Sequence, residues 1–170
     1  MQVFVIGPTK SGKSTLAKIV QHHGYTIYEA GSWARNEFAQ INTGPADEFS
    51  SVFKDNLTAY ALDVLQRNPY YSVERYEAFL QTHTGHTVVV GVRNPDDFIH
   101  MLRLDPHNKV IVIDSDKQSG GTLGVFERGL KVIEDYLAWK NSVGTSVDVL
   151  RISEQCVDEH QILAFLQGDL

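Results

Sequence analysis

The sequence predicts an α/β three-layer sandwich: a five-stranded parallel sheet with helices on both faces. Two observations predict it. Short, continuous apolar runs alternate along the chain with segments whose apolar residues recur at helical spacing. The first junction between the two is a glycine-rich loop, the usual link from a buried parallel strand into a helix.

Val3-Phe4-Val5-Ile6 is the first strand, and Leu16, Ile19 and Val20 mark the helix behind it. Tyr25-Thr26-Ile27-Tyr28 reads as a second, shorter strand. From Ala46 to Gln66, Phe49, Val52, Phe53, Leu57, Tyr60, Ala61, Val64 and Leu65 form one apolar stripe, which Asn68-Pro69 ends. A shorter helix from Ser72 to His83 carries Val73, Tyr76, Phe79 and Leu80 on one face. Thr87-Val88-Val89-Val90 is the third strand. Asn94-Pro95-Asp96-Asp97 then starts a helix, with an N-cap, a first-turn proline and acids favoured by the dipole. Val110-Ile111-Val112-Ile113 is the fourth strand, followed by a glycine-rich turn at 119–124 and a helix from Val125 to Trp139. Val147, Val149 and Leu150 mark the fifth strand, and Ile162 to Leu166 a closing helix whose pattern Cys156 opens as a small packing residue.

With 170 residues, the chain reads as one domain, 1–170. A hydrophobic share of 42% and a charged share of 21% exclude global disorder. The net charge of -6 argues against a generic basic nucleic-acid binder. One cysteine excludes an internal disulfide and a four-thiolate zinc site. No apolar run approaches a membrane span, and Met1–Gly7 has neither the length nor the charge of a signal peptide, so no membrane association and a cytoplasmic location are expected.

Gly7-Pro8-Thr9-Lys10-Ser11-Gly12-Lys13-Ser14, with Thr15 behind it, is a full phosphate-binding loop, or P-loop. Its glycines let backbone amides turn toward a polyphosphate, and the next helix aims its N-terminus at the anion. Lys13 adds a point charge on the transferring phosphates, and the Ser14 hydroxyl is placed to ligate Mg²⁺. Lys10 lies in the loop and faces either phosphate or solvent. The motif fixes nucleoside triphosphate binding, not the reaction. Three further segments fall at strand ends, where open parallel sheets gather ligands: 29–35, 91–95 and 114–131.

The chain resembles small nucleotide and nucleoside kinases of the adenylate kinase-like P-loop class over most of its length. The resemblance implies ATP with Mg²⁺ as donor. Gly31-Ser32-Trp33-Ala34-Arg35 is similar to the acceptor-binding helix start of nucleoside monophosphate kinases, which implies acceptor-binding roles for Ser32, Trp33 and Arg35. Trp33 either stacks on a base or packs in the core, and Arg35 is either the acceptor clamp or a solvated helix arginine. Gly91-Val92-Arg93-Asn94-Pro95-Asp96-Asp97 is similar to a segment of dephospho-CoA kinases and bacteriophage deoxynucleoside monophosphate kinases, which implies that Arg93 contacts the acceptor or the transferring phosphate. By the same resemblance, 46–83 is a helical acceptor-binding insert and 114–131 a lid. The lid departs from the family in offering only Lys117, Arg128 and Lys131; Arg128 either closes on phosphate or pairs with Glu127 or Asp135.

Glu29, where a related class of nucleoside kinases carries a glutamate, is a candidate general base, a partner for metal-bound water, or a cap. A base is useful only if the acceptor is an alcohol. That opens a second acceptor class, because phage P-loop kinases of similar size phosphorylate 5-hydroxymethyluracil within DNA. Such a substrate would require a basic groove near Arg35, Lys54, Arg67 and Arg75. A regulatory NTPase without a second substrate is the remaining alternative. Asp114 and Asp116 read as turn formers, with contact to metal-bound water as the alternative for one of them, and His22-His23 and His83-x-x-His86 as solvated imidazoles rather than zinc ligands.

Overall fold

The computed structural model describes residues 1–8, 11–42, 51–114, 125–144 and 147–168, without the side chains of 51 and 125–128. The chain forms two compact units, Met1–Glu29 with Gly85–Leu170, and Ala30–Thr84.

The first unit is built on strands β1 (Gln2–Ile6), β2 (Thr26–Glu29), β3 (Thr87–Val90), β4 (Lys109–Asp114) and β5 (Asp148–Ser153), all parallel, in the order β2-β3-β1-β4-β5. Side chains alternate across a strand, so each strand feeds two cores. Val3, Val5, Val88, Val90, Ile111 and Ile113 join Leu16, Ala17 and Val20 of helix α1 (Lys13–His22) and Ile162, Phe165 and Leu166 of the C-terminal helix (Glu159–Gln167). Phe4, Val89, Val110 and Val112 are buried on the opposite face. There the Phe98 ring of α5 (Pro95–Arg103) meets Phe4 edge-on at 5.6 Å. Helix α6 (Val125–Ser142) packs beside α5 and buries Ile133 and Leu137.

The right-handed crossover rule explains this division. The step from β1 to β2 runs one way along the sheet, while the steps from β3 to β4 and from β4 to β5 run the other way. Helices α1 and α5 must therefore lie on opposite faces. The crevice that marks this reversal opens at the carboxyl ends of β1 and β3.

The helix starts follow local chemistry. Asn94 caps α5, its side chain accepting from the Asp96 amide at 3.0 Å, with Pro95 at the first helical position. Asp158 caps the last helix by accepting from the His160 amide at 2.9 Å, and Gly168 ends it at φ +87°. That cap corrects the expectation for Cys156. The helix begins at Glu159, and Cys156 is exposed ahead of it, because Asp158 and not the apolar pattern sets the start. Strand β5 runs to Ser153, past the expected Leu150, and alternates buried Leu150 and Ile152 with exposed Arg151 and Ser153.

The second unit holds α2 (Ser32–Ile41), α3 (Ser51–Arg67) and α4 (Tyr71–Thr82). Residues 43–50, including Ala46 and Phe49 of the expected long helix, lie outside the described residues. Phe38 of α2 receives Phe53 at 5.4 Å and Tyr60 at 5.7 Å, two turns apart on α3. Val52 does not join that stripe and is 66% exposed, since one residue before Phe53 is about 100° around the helix. Val73 and Tyr76 of α4 are fully buried, as their spacing predicts.

Candidate active site

The loop after β1 is held by two glycines for different reasons. A Cβ on Gly7, at φ +156°, would stand 2.8 Å from both the Ile113 carbonyl oxygen and Ser11 Oγ, so the loop is drawn against the end of β4. Gly12 meets nothing, but its φ of +88° is left-handed, a conformation that costs an L-residue about 1–2 kcal/mol. It enters α1 with no side-chain cap and no acid in the first turn. The first amides of the helix thus have neither an intrahelical acceptor nor a carboxylate competing for them. Ser11 is buried and its amide donates to the Pro8 carbonyl at 3.3 Å. Ser14 and Thr15 are exposed in the first turn. Thr9 and Lys10 lie outside the described residues.

Lys13 folds back over this loop. Its ammonium donates to the Gly7 carbonyl at 2.8 Å and also to the Pro8 carbonyl, and Ser11 Oγ lies 3.5 Å away. Burial, and then the positive charge of Arg93, hold the ammonium below the usual lysine range. Arg93 is exposed on the segment that leaves β3 through Gly91 at φ +78°. Glu29 is the last residue of β2, exposed and in register with Val90. It stands two strand spacings, about 10 Å, from the axis of β1. Loop, Arg93 and Glu29 thus share one end of the sheet within one unit.

The cradle suits a polyphosphate: one glycine where a Cβ cannot stand and one at a left-handed φ, uncapped amides, and two cations with an electrostatic cost until an anion joins them. Ser14 presents an exposed hydroxyl at this helix start, a donor that could hold Mg²⁺ arriving with phosphate oxygens. Among the described residues no three His, Cys, Asp or Glu are grouped to hold a metal.

The other candidates have these places. Ser32 is the first residue of α2, half-buried, and Arg35 is exposed on the same helix. Trp33 is 7% exposed, donates its indole N–H to Ser72 Oγ at 3.2 Å and meets Tyr71 edge-on at 5.0 Å. Arg128 lies within α6, with its side chain outside the described residues, as are Asp116, Lys117 and the rest of 115–124. Asp114 is exposed and accepts from Arg151 at 3.1 Å. His22 bonds the Lys18 carbonyl, His23 pairs with Glu159 at 2.9 Å, His83 stacks on Phe79 and His86 on Tyr25.

One polar cluster escapes the sequence reading. Glu37 of α2 accepts from Tyr71 at 2.7 Å, from Arg75 at 2.6 Å and from Tyr60 at 3.1 Å, tying three helices together. Burial, and then the hydrogen bond to Glu37, raise both tyrosines above the usual phenol range. The i, i+4 spacing of Tyr71 and Arg75 is the local trace of it; Glu37 leaves none. A groove of about 490 Å³ lined by Leu102, Arg103, Asn108, Tyr136 and Lys140 opens at the amino ends of the strands and takes no part in the site.

No family model matches the chain, and no curated protein matches it. Solved structures do. A protein from Chloroflexus aurantiacus described as a kinase is 11% identical, with a TM-score of 0.54, 99% of this chain covered and 97% of that one. TT1252 from Thermus thermophilus is 14% identical, with a TM-score of 0.52, 100% of this chain covered and 97% of that one. Shikimate kinase from Aquifex aeolicus is 15% identical, with a TM-score of 0.46 and 99% and 98% covered. At these identities the likeness concerns the fold: a P-loop kinase-like α/β fold with a five-stranded parallel sheet. No described helix is long and apolar enough to cross a membrane.

Proposed function

We propose that this protein is an ATP-dependent kinase, acting in the cytoplasm, that transfers the γ-phosphoryl group to a nucleotide or nucleoside-type acceptor. The observation that carries this reading is the placement of Lys13 and Arg93. Lys13 folds over the loop at an uncapped helix start, its ammonium held below the usual lysine range by burial and then by the charge of Arg93, which stands beyond the end of the neighbouring strand β3. That arrangement is unfavourable alone and favourable around a chain of phosphates, whose charge each cation then shares. The preference for ATP and for this acceptor class rests on the resemblance of 7–15, 31–35 and 91–97 to the nucleotide kinases.

In this mechanism the amides of the 7–15 loop bind the donor phosphates. Lys13 leaves the Gly7 and Pro8 carbonyls to bind the transferring group, and Arg93 orients it toward the acceptor. Ser14 would hold Mg²⁺, which would supply charge neutralisation. An acceptor oxygen forms a bond to the γ-phosphorus as the bond to the β–γ bridging oxygen breaks and ADP leaves. A phosphate acceptor needs no base. For a hydroxyl acceptor, the exposed Glu29 takes the proton. Ser32 and Arg35 serve the acceptor and Arg128 the lid, while Trp33, buried against Tyr71 and Ser72, takes the core alternative.

The Glu29 position also favours a second reading, transfer to the hydroxyl of 5-hydroxymethyluracil in DNA. Its basic groove is depleted, because Arg75 is bound to Glu37 and Arg67 to Asp63. Labelled ATP offered with nucleoside monophosphates, nucleosides and hydroxymethylated DNA tests both. Transfer to a free nucleotide or nucleoside, abolished in Lys13→Ala with the fold intact, is expected. Label appearing only in DNA replaces the first acceptor by the second. ATP hydrolysis indifferent to every acceptor leaves a regulatory NTPase, and unchanged turnover in Lys13→Ala refutes the kinase.

A further inference from the structure

Gly129 sits in the first third of α6, buried, at a position where glycine is costly. In a helix interior it is about 1 kcal/mol less favourable than alanine. The cost has a local counterpart. A Cβ on Gly129 would stand 2.8 Å from the Arg93 carbonyl oxygen, and 3.5 and 3.6 Å from Cδ and Cγ of Pro95. The near neighbour is backbone, not the end of a flexible side chain. Any larger residue must push α6 and the 93–95 segment apart.

We propose that Gly129 is the positioning residue for Arg93: by lacking a Cβ it lets α6 press on the Arg93 carbonyl, and that contact fixes the backbone that carries the guanidinium at the carboxyl end of the sheet. Three features fit together here. Gly91 releases the chain from β3 at a positive φ. Asn94 and Pro95 lock the backbone after Arg93 into the first turn of α5. Between them, Arg93 is gripped from the side by α6. The segment that carries the arginine is thus held at both ends and in the middle. The inference rests on the kinase reading only for its effect on transfer; the hold on the Arg93 backbone does not need it.

The test uses the full-length protein. In Gly129→Ala the Arg93 carbonyl carbon, read by triple-resonance NMR without nucleotide, is expected to shift, while the signals of β5 and the C-terminal helix stay as in the parent. In the transfer assay Gly129→Ala should lose about 10- to 100-fold in kcat with little change in KM for ATP, as for a misplacement near 1 Å. Adding Gly129→Ala to Arg93→Gln should lose no more than Arg93→Gln alone. Pro95→Ala loosens the same contact without adding bulk, and it carries the kcat and double-variant test if Gly129→Ala does not fold. A folded Gly129→Ala, or Pro95→Ala in its stead, with the kcat of the parent overturns the proposal, and so does a further loss on top of Arg93→Gln. A parent protein that transfers no phosphate, but whose Arg93 carbonyl signal still moves in Gly129→Ala, removes the kinase and keeps the positioning role.

Discussion

Lys13 carries the clearest pH signature at the scale of single residues. Its folded-state pKa lies below the unfolded value, so between the two the native state binds fewer protons and stability rises with pH. A bound triphosphate reverses the preference, because the anion favours the charged ammonium. Binding therefore takes up a proton at alkaline pH. Affinity for Mg-ATP is expected to be greatest below the depressed pKa and to weaken as pH rises through it. Calorimetry in buffers of different ionisation enthalpy should detect that proton in the parent and not in Lys13→Met; an affinity independent of pH in the parent would contradict the assigned role. Gly7 and Gly12 were legible because a phosphate loop is a contiguous piece of backbone. The influence of Arg93 on Lys13 was not, since eighty residues separate them and only the sheet brings them together.

Elements were read best where their signals are local. The start of α5 at Asn94-Pro95-Asp96-Asp97 is one case, and the structure repeats it down to the side-chain cap. Asn94→Ala should cost about 1 kcal/mol, seen as a fall in Tm of about 2–4 °C for a chain of this size. No change in Tm would mean that Pro95 and the α6 contact set this helix start without the cap. The last helix shows the opposite case. Its apolar pattern gave no unique first residue, and the Asp158 cap placed it beyond Cys156. On α3, Phe53 and Tyr60 of the stripe meet Phe38, whereas Val52 lies about 100° around the helix from Phe53 and is left to solvent.

For the whole molecule, the proposed donor site belongs to the unit of Met1–Glu29 and Gly85–Leu170, while Ala30–Thr84 holds the helices α2, α3 and α4. Ligand linkage should appear in the first unit. Mg-ATP at a hundredfold excess over its Kd stabilises what it binds by about 2.7 kcal/mol. Amide exchange in β1, α1 and β3 is expected to slow accordingly, and Lys13→Ala to remove the effect. Unaltered exchange with saturating Mg-ATP would exclude the 7–15 loop as its binding site.

By itself the amino-acid order determined the alternation of strands and helices, the phosphate loop, and the strand ends at which Glu29 and Arg93 stand. Each depends on periodicity or on a run of neighbouring residues, which a linear text records. Only the tertiary structure decided that Glu37 gathers Tyr60, Tyr71 and Arg75, that Trp33 gives its N–H to Ser72, and that Gly129 admits the Arg93 carbonyl. Those contacts join residues tens of positions apart. They follow from strand order and helix packing, which give no local preference to any one of the residues involved.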